Sequence, residues 1–145
     1  MDKILILAGG YSNEREISLI TAKSVTRELK KNKKYKLLTI EPNGSFIKKL
    51  RKFKPKLVLN LLHGRYGEDG YIQSILESEK VKYTHSGVLS SSLAIDKEIS
   101  KKIFIKNNIL TPAYLKFVFK NKFNLKDLIN KVDKKLKFPV VLKPI

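Results

Sequence analysis

One stretch, residues 57–70, constrains the fold of this chain more than any other. A largely apolar run, 57–62, is followed by the glycine-rich segment His63–Gly70, and then by apolar residues at helical spacing. A short apolar run bounded by turn residues is typical of a buried strand. The segment His63–Gly70 is therefore expected at the carboxyl end of a strand and just before a helix, where open α/β sheets bind ligands. The pattern alone fits an ordinary strand-to-helix turn equally well.

The same alternation of apolar strands and amphipathic helices runs through the first two-thirds of the chain. Its order, βαβαβαβ, predicts a parallel sheet with helices on both faces, that is, an α/β fold. The predicted strands are 3–8, 35–40, 57–62 and 81–84. The predicted helices are 14–30, 46–53, one after residue 70, and 88–95.

The turn Gly9-Gly10 precedes the first helix and forms a possible anion site, because a helix N-terminus offers free N–H groups. Tyr11 occupies the middle position of the G-x-G-x-x-G pattern, which argues against a nicotinamide or flavin site. Asn13 and Glu16 fit a capping box. The expected apolar face of this helix consists of Ile17, Ile20, Val25 and Leu29.

The pattern changes character near Asp96. Ile99, Ile103 and Phe104 predict a helix that ends at Asn107-Asn108. Beyond it, we expect a strand at 113–119, a helix after Asn124 and a final strand at 140–143.

Composition narrows the possible functions. The 145 residues include no cysteine, which excludes a disulfide framework, a cysteine-based zinc site and a thiol nucleophile. No apolar run approaches the roughly 18 residues that span a bilayer, and we expect a cytoplasmic protein without a membrane partner. The net charge of +18 fits a nucleic-acid binder. Lysines spread over exposed helix faces and turns explain it better, so we expect no nucleic-acid partner.

Four ordered motifs resemble those of the D-alanine–D-alanine ligases, a family of ATP-grasp enzymes. The resemblance covers the whole chain but only about the first half of a typical family member. The motifs are Gly9–Ser18, Leu62–Gly70, Tyr83–Val88 with Ala94–Lys97, and Phe138–Pro144.

The resemblance implies a fold, a division into domains and an activity. Residues 1–95 would form the family's substrate domain, a Rossmann-like parallel-sheet fold that precedes the ATP-grasp domain, and residues 96–145 the truncated start of the ATP-grasp domain. Family members use ATP, with magnesium or manganese, to join two D-alanines for peptidoglycan synthesis, and they are typically homodimers. Such an enzyme must hold an ammonium and a carboxylate and clamp a polyphosphate.

The resemblance also implies roles for four residues. Glu14 matches the catalytic-site glutamate that holds the ammonium group of the first D-alanine, and His63 matches the histidine near its carboxylate. Lys97 and Lys143 match lysines that contact ATP phosphates. Lys143 is expected inside an apolar strand, where lysine is rare unless paired. Glycines 9 and 10 and Ser12 are expected to shape the substrate turn, and the acids of His63–Gly70 to do no more than fix that segment.

Two features depart from the family pattern. His85 replaces a usual glycine, and this turn could demand a positive φ there. The later ATP-grasp motifs and the acidic metal ligands have no counterpart in these 145 residues, so we expect an incomplete, inactive fragment. The second substrate, which could be D-alanine, D-serine or D-lactate, stays open. The alternative from another class is a non-catalytic module that binds a small ligand or anion.

Overall fold

A computed structural model describes residues 1–118 and 124–143. The chain divides into two compact units, Met1–Ile95 and Asp96–Ile145. Each unit is described by itself.

The first unit is built on a parallel sheet of three strands, β1 (Asp2–Leu7), β2 (Tyr35–Ile40) and β3 (Leu57–Asn60), in the order β2-β1-β3. Ile4 of the central strand pairs with Leu37 on one side and Leu57 on the other. The helices are α1 (Arg15–Leu29), α2 (Phe46–Phe53), α3 (Tyr71–Ser78) and α4 (Val88–Ile95). The predicted parallel α/β fold is confirmed, with each of these elements within a few residues of its expected bounds.

The predicted fourth strand, 81–84, is wrong. Tyr83 makes only a single parallel bridge to Val58. At the next position along β3, the Asn60 N–H donates to the side-chain oxygen of Thr84 at 3.0 Å, in place of a backbone carbonyl. His85 then takes a φ of 88° and turns the chain away, as the glycine usual at this position would allow.

The core lies on both faces of the sheet. On one face, Leu5, Leu7 and Val58 pack with Phe46 and Leu50 of α2, and with buried residues of α3. On the other face, Ile6 of β1 packs with Ala22 of α1 and with the partly buried Leu19 and Leu29 of the same helix. Burial of this apolar surface on two sides fixes β1 as the centre of the unit, which sets the positions of the loops that follow the three strands.

The predicted apolar face of α1 is wrong in part. Ile17 and Ile20 are 57% and 62% exposed, whereas Ser18 and Ala22 are buried. Leu29 packs against the core as predicted, and small residues beside it let the helix approach the sheet closely. The predicted capping box is also absent: the N-cap residue is Glu14 and receives no side-chain cap.

The second unit contains two helices in its described part, α5 (Lys97–Lys106) and α6 (Leu125–Lys135). Both begin as predicted, with the side chains of Asp96 and Asn124 accepting first-turn N–H groups. The predicted strands at 113–119 and 140–143 are not formed within 113–118 and 140–143. Residue 119 lies outside the described residues. A strand exists only through pairing, and these extended segments have no ladder partner among the described residues.

Within 1–118 and 124–143, no helix is long and apolar enough to cross a bilayer.

Candidate functional site

The loops after the three parallel strands meet at one edge of the sheet. Gly9 and Gly10 follow β1, Glu41 follows β2, and the segment His63–Gly70 follows β3. A shallow cleft opens between these loops, lined by Gly10, Tyr11, Pro42, Leu62, His63 and Tyr66 among others. The segment His63–Gly70 therefore lies where an open α/β sheet binds its ligand.

Ser18 of α1 links the loop after β1 to the loop after β3. Its hydroxyl accepts a hydrogen bond from the Gly9 N–H at 2.8 Å and donates to the Leu61 carbonyl at 2.6 Å. The side chain is completely buried. Because a buried hydroxyl is tolerated only when its hydrogen bonds are made, Ser18 fixes the two loops at a set separation.

Ser12 joins the same two loops nearer the surface. Its hydroxyl donates to the His63 carbonyl at 2.7 Å and accepts from the Glu14 N–H at 3.1 Å. This bridge brings Glu14 and His63, two of the four predicted site residues, to neighbouring positions. Ser12 shapes the turn as predicted, through hydrogen bonds that the sequence does not reveal.

The Glu14 carboxylate lies against the backbone of Gly64. A Cβ atom on Gly64 would stand 2.4 Å from Glu14 Oε2, and Gly64 has a φ of 67°. Only glycine combines this close approach with this backbone conformation at no steric cost. Among the hydrogen bonds of the described residues, none reaches the exposed Glu14 carboxylate, so its oxygens are available to an external cation.

The His63 imidazole is held between two side chains. Its Nε2 lies 3.3 Å from Thr21 Oγ1, and its Nδ1 lies 3.7 Å from Glu68 Oε1. The second oxygen of Glu68 accepts the Gly64 N–H at 2.9 Å. Glu68 thus orients the histidine and the segment at once, a contact that the sequence interpretation did not include.

Two amides and an aspartate make the rest of the segment rigid. The Gly67 carbonyl accepts hydrogen bonds from Asn60 and from the buried Gln73, both at 2.9 Å. The Asp69 carboxylate accepts from the N–H groups of Tyr66 and Tyr71. The acids of the segment are therefore engaged with its own backbone, and their geometry is that of a fixed turn.

Glu41 is a residue of this site that sequence reasoning missed. Its carboxylate forms a bidentate pair with Arg15, at 3.0 and 2.7 Å, and accepts the Gly10 N–H at 3.3 Å. These contacts lower the pKa of Glu41, mainly through the hydrogen bonds from Arg15, and raise the pKa of Arg15. Its position at the carboxyl end of a parallel strand was the available signal.

The other two predicted residues belong to the second unit. Lys97 is the first residue of α5, and its side chain is exposed. Lys143 is also exposed and lies in an irregular segment, so its expected setting inside an apolar strand is wrong. Within the described residues, no group of three or more acidic or histidine side chains could hold a metal ion.

Comparison with known proteins gives a consistent result, although no family model matches. The chain is 60% identical over 144 residues to a D-alanine–D-alanine ligase of Pelagibacter ubique, an alignment that covers 99% of this chain and 46% of that protein. It is 45% identical to a ligase of the same name from Wolbachia pipientis, over 98% of this chain and 42% of that protein.

Solved structures agree with these relatives. The D-alanine–D-alanine ligase of Bacillus anthracis, crystallised in complex with ATP, superposes with a TM-score of 0.72 at 34% identity, over 90% of this chain and 44% of that one. The chain spans less than half the length of these relatives. By sequence and fold, the chain matches the N-terminal domain of the D-alanine–D-alanine ligases.

Proposed function

We propose that this chain carries the binding site for the first D-alanine, and the beginning of the ATP-binding region, of an enzyme that joins two D-alanines for peptidoglycan synthesis. The observation that carries the proposal is the open Glu14 carboxylate, held beside the His63 loop at the carboxyl edge of a parallel sheet. An ionised carboxylate suits an ammonium group, which offers three donors and one positive charge.

The same geometry supports a role for His63 at the other end of the amino acid. Its ring is oriented by Thr21 and Glu68 and remains partly exposed. An imidazole that exchanges one of these contacts for the ligand can donate a hydrogen bond to its carboxylate. Glu14 and His63 would then hold the two charged groups of one small zwitterion.

In the proposed reaction, ATP phosphorylates the carboxylate of the first D-alanine. The amine of the second D-alanine attacks the resulting acylphosphate, the amide bond forms and phosphate leaves. Lys97 and Lys143 would contact the ATP phosphates, a task that suits the compact charge of an ammonium group. Residues 1–95 are assigned to the substrate domain and 96–145 to the start of the ATP-grasp domain.

The wider setting belongs to the same proposal. We infer a cytoplasmic protein, since ATP is its co-substrate, and a homodimer in the intact enzyme. Magnesium or manganese would serve the polyphosphate.

The test is a titration of the isotope-labelled chain with D-alanine, followed by NMR. We expect shifts at the amides of Gly10 and Gly64, which border the Glu14 carboxylate. Glu14→Gln should weaken binding about ten- to hundredfold, because a hydrogen bond to a charged group contributes about 1.5–3 kcal/mol.

Glu28→Gln is the matched control. Glu28 lies near the other end of the same helix, and its carboxylate is paired with Lys31. D-alanine binding that Glu14→Gln leaves unchanged would favour the non-catalytic ligand-binding module instead. The absence of any D-alanine binding would remove the substrate site from this chain.

A further inference from the structure

We propose that Glu41 is a positioning residue of this site. Its carboxylate holds the Arg15 guanidinium and thereby keeps that cation from pairing with Glu14. The inference rests on the proposed function, because it explains how the ammonium-binding acid stays open. It adds Glu41 to the site and explains why Arg15, which follows Glu14 in the chain, does not occupy the Glu14 carboxylate.

Three contacts fix the Glu41 carboxylate. Its Oε2 accepts from Arg15 Nε at 3.0 Å and its Oε1 from Arg15 Nη2 at 2.7 Å. Oε2 also accepts the Gly10 N–H. A Cβ atom on Gly9, which has a φ of 79°, would lie 2.3 Å from Glu41 Oε2, so the carboxylate fills the space that this glycine leaves. An acid seated in this way holds its partner in one geometry, unlike a freely rotating surface pair.

Arg15 directly follows Glu14 in the chain, at the start of α1. The Arg15 side chain is 44% exposed, and its guanidinium also contacts the Glu16 carboxylate at 3.0 Å. The Glu16 side chain is 78% exposed. The bidentate pair with Glu41 is the less exposed of the two contacts, since Glu41 is 36% exposed. Removing the charge of Glu41 therefore leaves Arg15 with its contact to Glu16 alone, and we expect the released guanidinium to turn to the neighbouring Glu14 carboxylate.

An arginine on Glu14 would compete with the substrate for the same oxygens. Both partners are cations that donate hydrogen bonds, and the carboxylate has room for few donors at once. Since the competing pair would be partly exposed to water, its effect on affinity is modest, about two- to fivefold.

The experiment compares D-alanine affinity across four forms of the chain: wild type, Glu41→Gln, the double variant Arg15→Gln/Glu41→Gln, and Glu79→Gln. Glutamine keeps the shape of Glu41 but loses its charge. We expect Glu41→Gln to weaken binding about two- to fivefold and the added Arg15→Gln to restore most of that loss. A merely structural role would not be rescued, because the second substitution removes a further contact.

Glu79→Gln is the matched control. Glu79 forms the other bidentate pair of this unit, with Arg51 at 2.8 and 2.6 Å, and contacts none of the loops of the site. Binding by this variant should equal that of the wild type. An equal loss in Glu79→Gln and Glu41→Gln, or a double variant that binds no better than Glu41→Gln, would overturn the inference.

A second measurement does not depend on the ligand. A crystal structure of Glu41→Gln should show the Arg15 guanidinium within about 4 Å of the Glu14 carboxylate, the distance of an ion pair. A guanidinium that stays on residue 41, or that pairs only with Glu16, would overturn the inference. If the wild type does not bind D-alanine, the proposed function fails, and this structural result alone decides the role of Glu41.

Discussion

Replacing Ser18 by alanine should destabilise the first unit far more than the loss of one hydroxyl on a helix implies. The hydroxyl satisfies the Gly9 N–H and the Leu61 carbonyl in a completely buried position. Alanine leaves both backbone groups unpaired, and each buried unsatisfied group costs about 1–3 kcal/mol. The better helix propensity of alanine returns about 0.5 kcal/mol. We therefore expect a net loss of roughly 1.5–5.5 kcal/mol.

The assay is urea unfolding followed by tyrosine fluorescence. The chain has no tryptophan, and Tyr114 is its one tyrosine beyond Ile95, so the signal reports mainly on the first unit. With a slope of about 2 kcal/mol per molar urea, the midpoint should fall by about 1 M or more.

Ser24→Ala is the control for Ser18→Ala, since Ser24 lies on the exposed side of the same helix and carries the same change in helix propensity. It should leave the free energy of unfolding within about 0.5 kcal/mol of the wild type. A Ser18→Ala variant as stable as Ser24→Ala would refute the argument, because the loops would then be held without the hydroxyl.

Two further changes test the packing and electrostatics around the site. Gly67→Ala should cost about 1–3 kcal/mol in the same urea assay, because the new Cβ would lie 2.4 Å from that of Leu62, whereas Gly44→Ala meets no atom within 4 Å and should be neutral. Burial, and a hydrogen bond to Glu77 at 2.6 Å, raise the pKa of Tyr83 to about 12. Its neutral form therefore stabilises the fold below pH about 10, and that contribution is lost as the pH rises through the folded pKa. Absorbance near the tyrosinate band should show one tyrosine titrating late, and Glu77→Gln should bring its pKa down; a Tyr83 pKa that Glu77→Gln leaves unchanged would contradict this account.

The sequence by itself determined the architecture of the first unit. The short apolar runs around Ile4 and Val58 are bounded by turn residues, a pattern that predicts buried strands. Because the two strands are parallel, the turns that follow them meet at one edge of the sheet. The helix bounds followed from local signals, such as Asn124 before α6 and Asn107 after α5. These features depend on residues that are close together in the sequence, so they can be predicted from the sequence alone.

Tertiary structure decided the details of the site. The sequence drew attention to Glu14 and His63, but the Ser12 bridge between them spans 51 residues and follows from no local pattern. Likewise, Ile17 and Ile20 fitted the predicted apolar face of α1 but are exposed. Ser18 and Ala22 are buried instead, because burial depends on shape and hydrogen bonding as well as on hydrophobicity. The second unit makes the same point, since residues with strand propensity at 140–143 form no strand without a partner. Local periodicity indicates which elements can form, whereas long-range contacts decide which strands pair and which side chains come together.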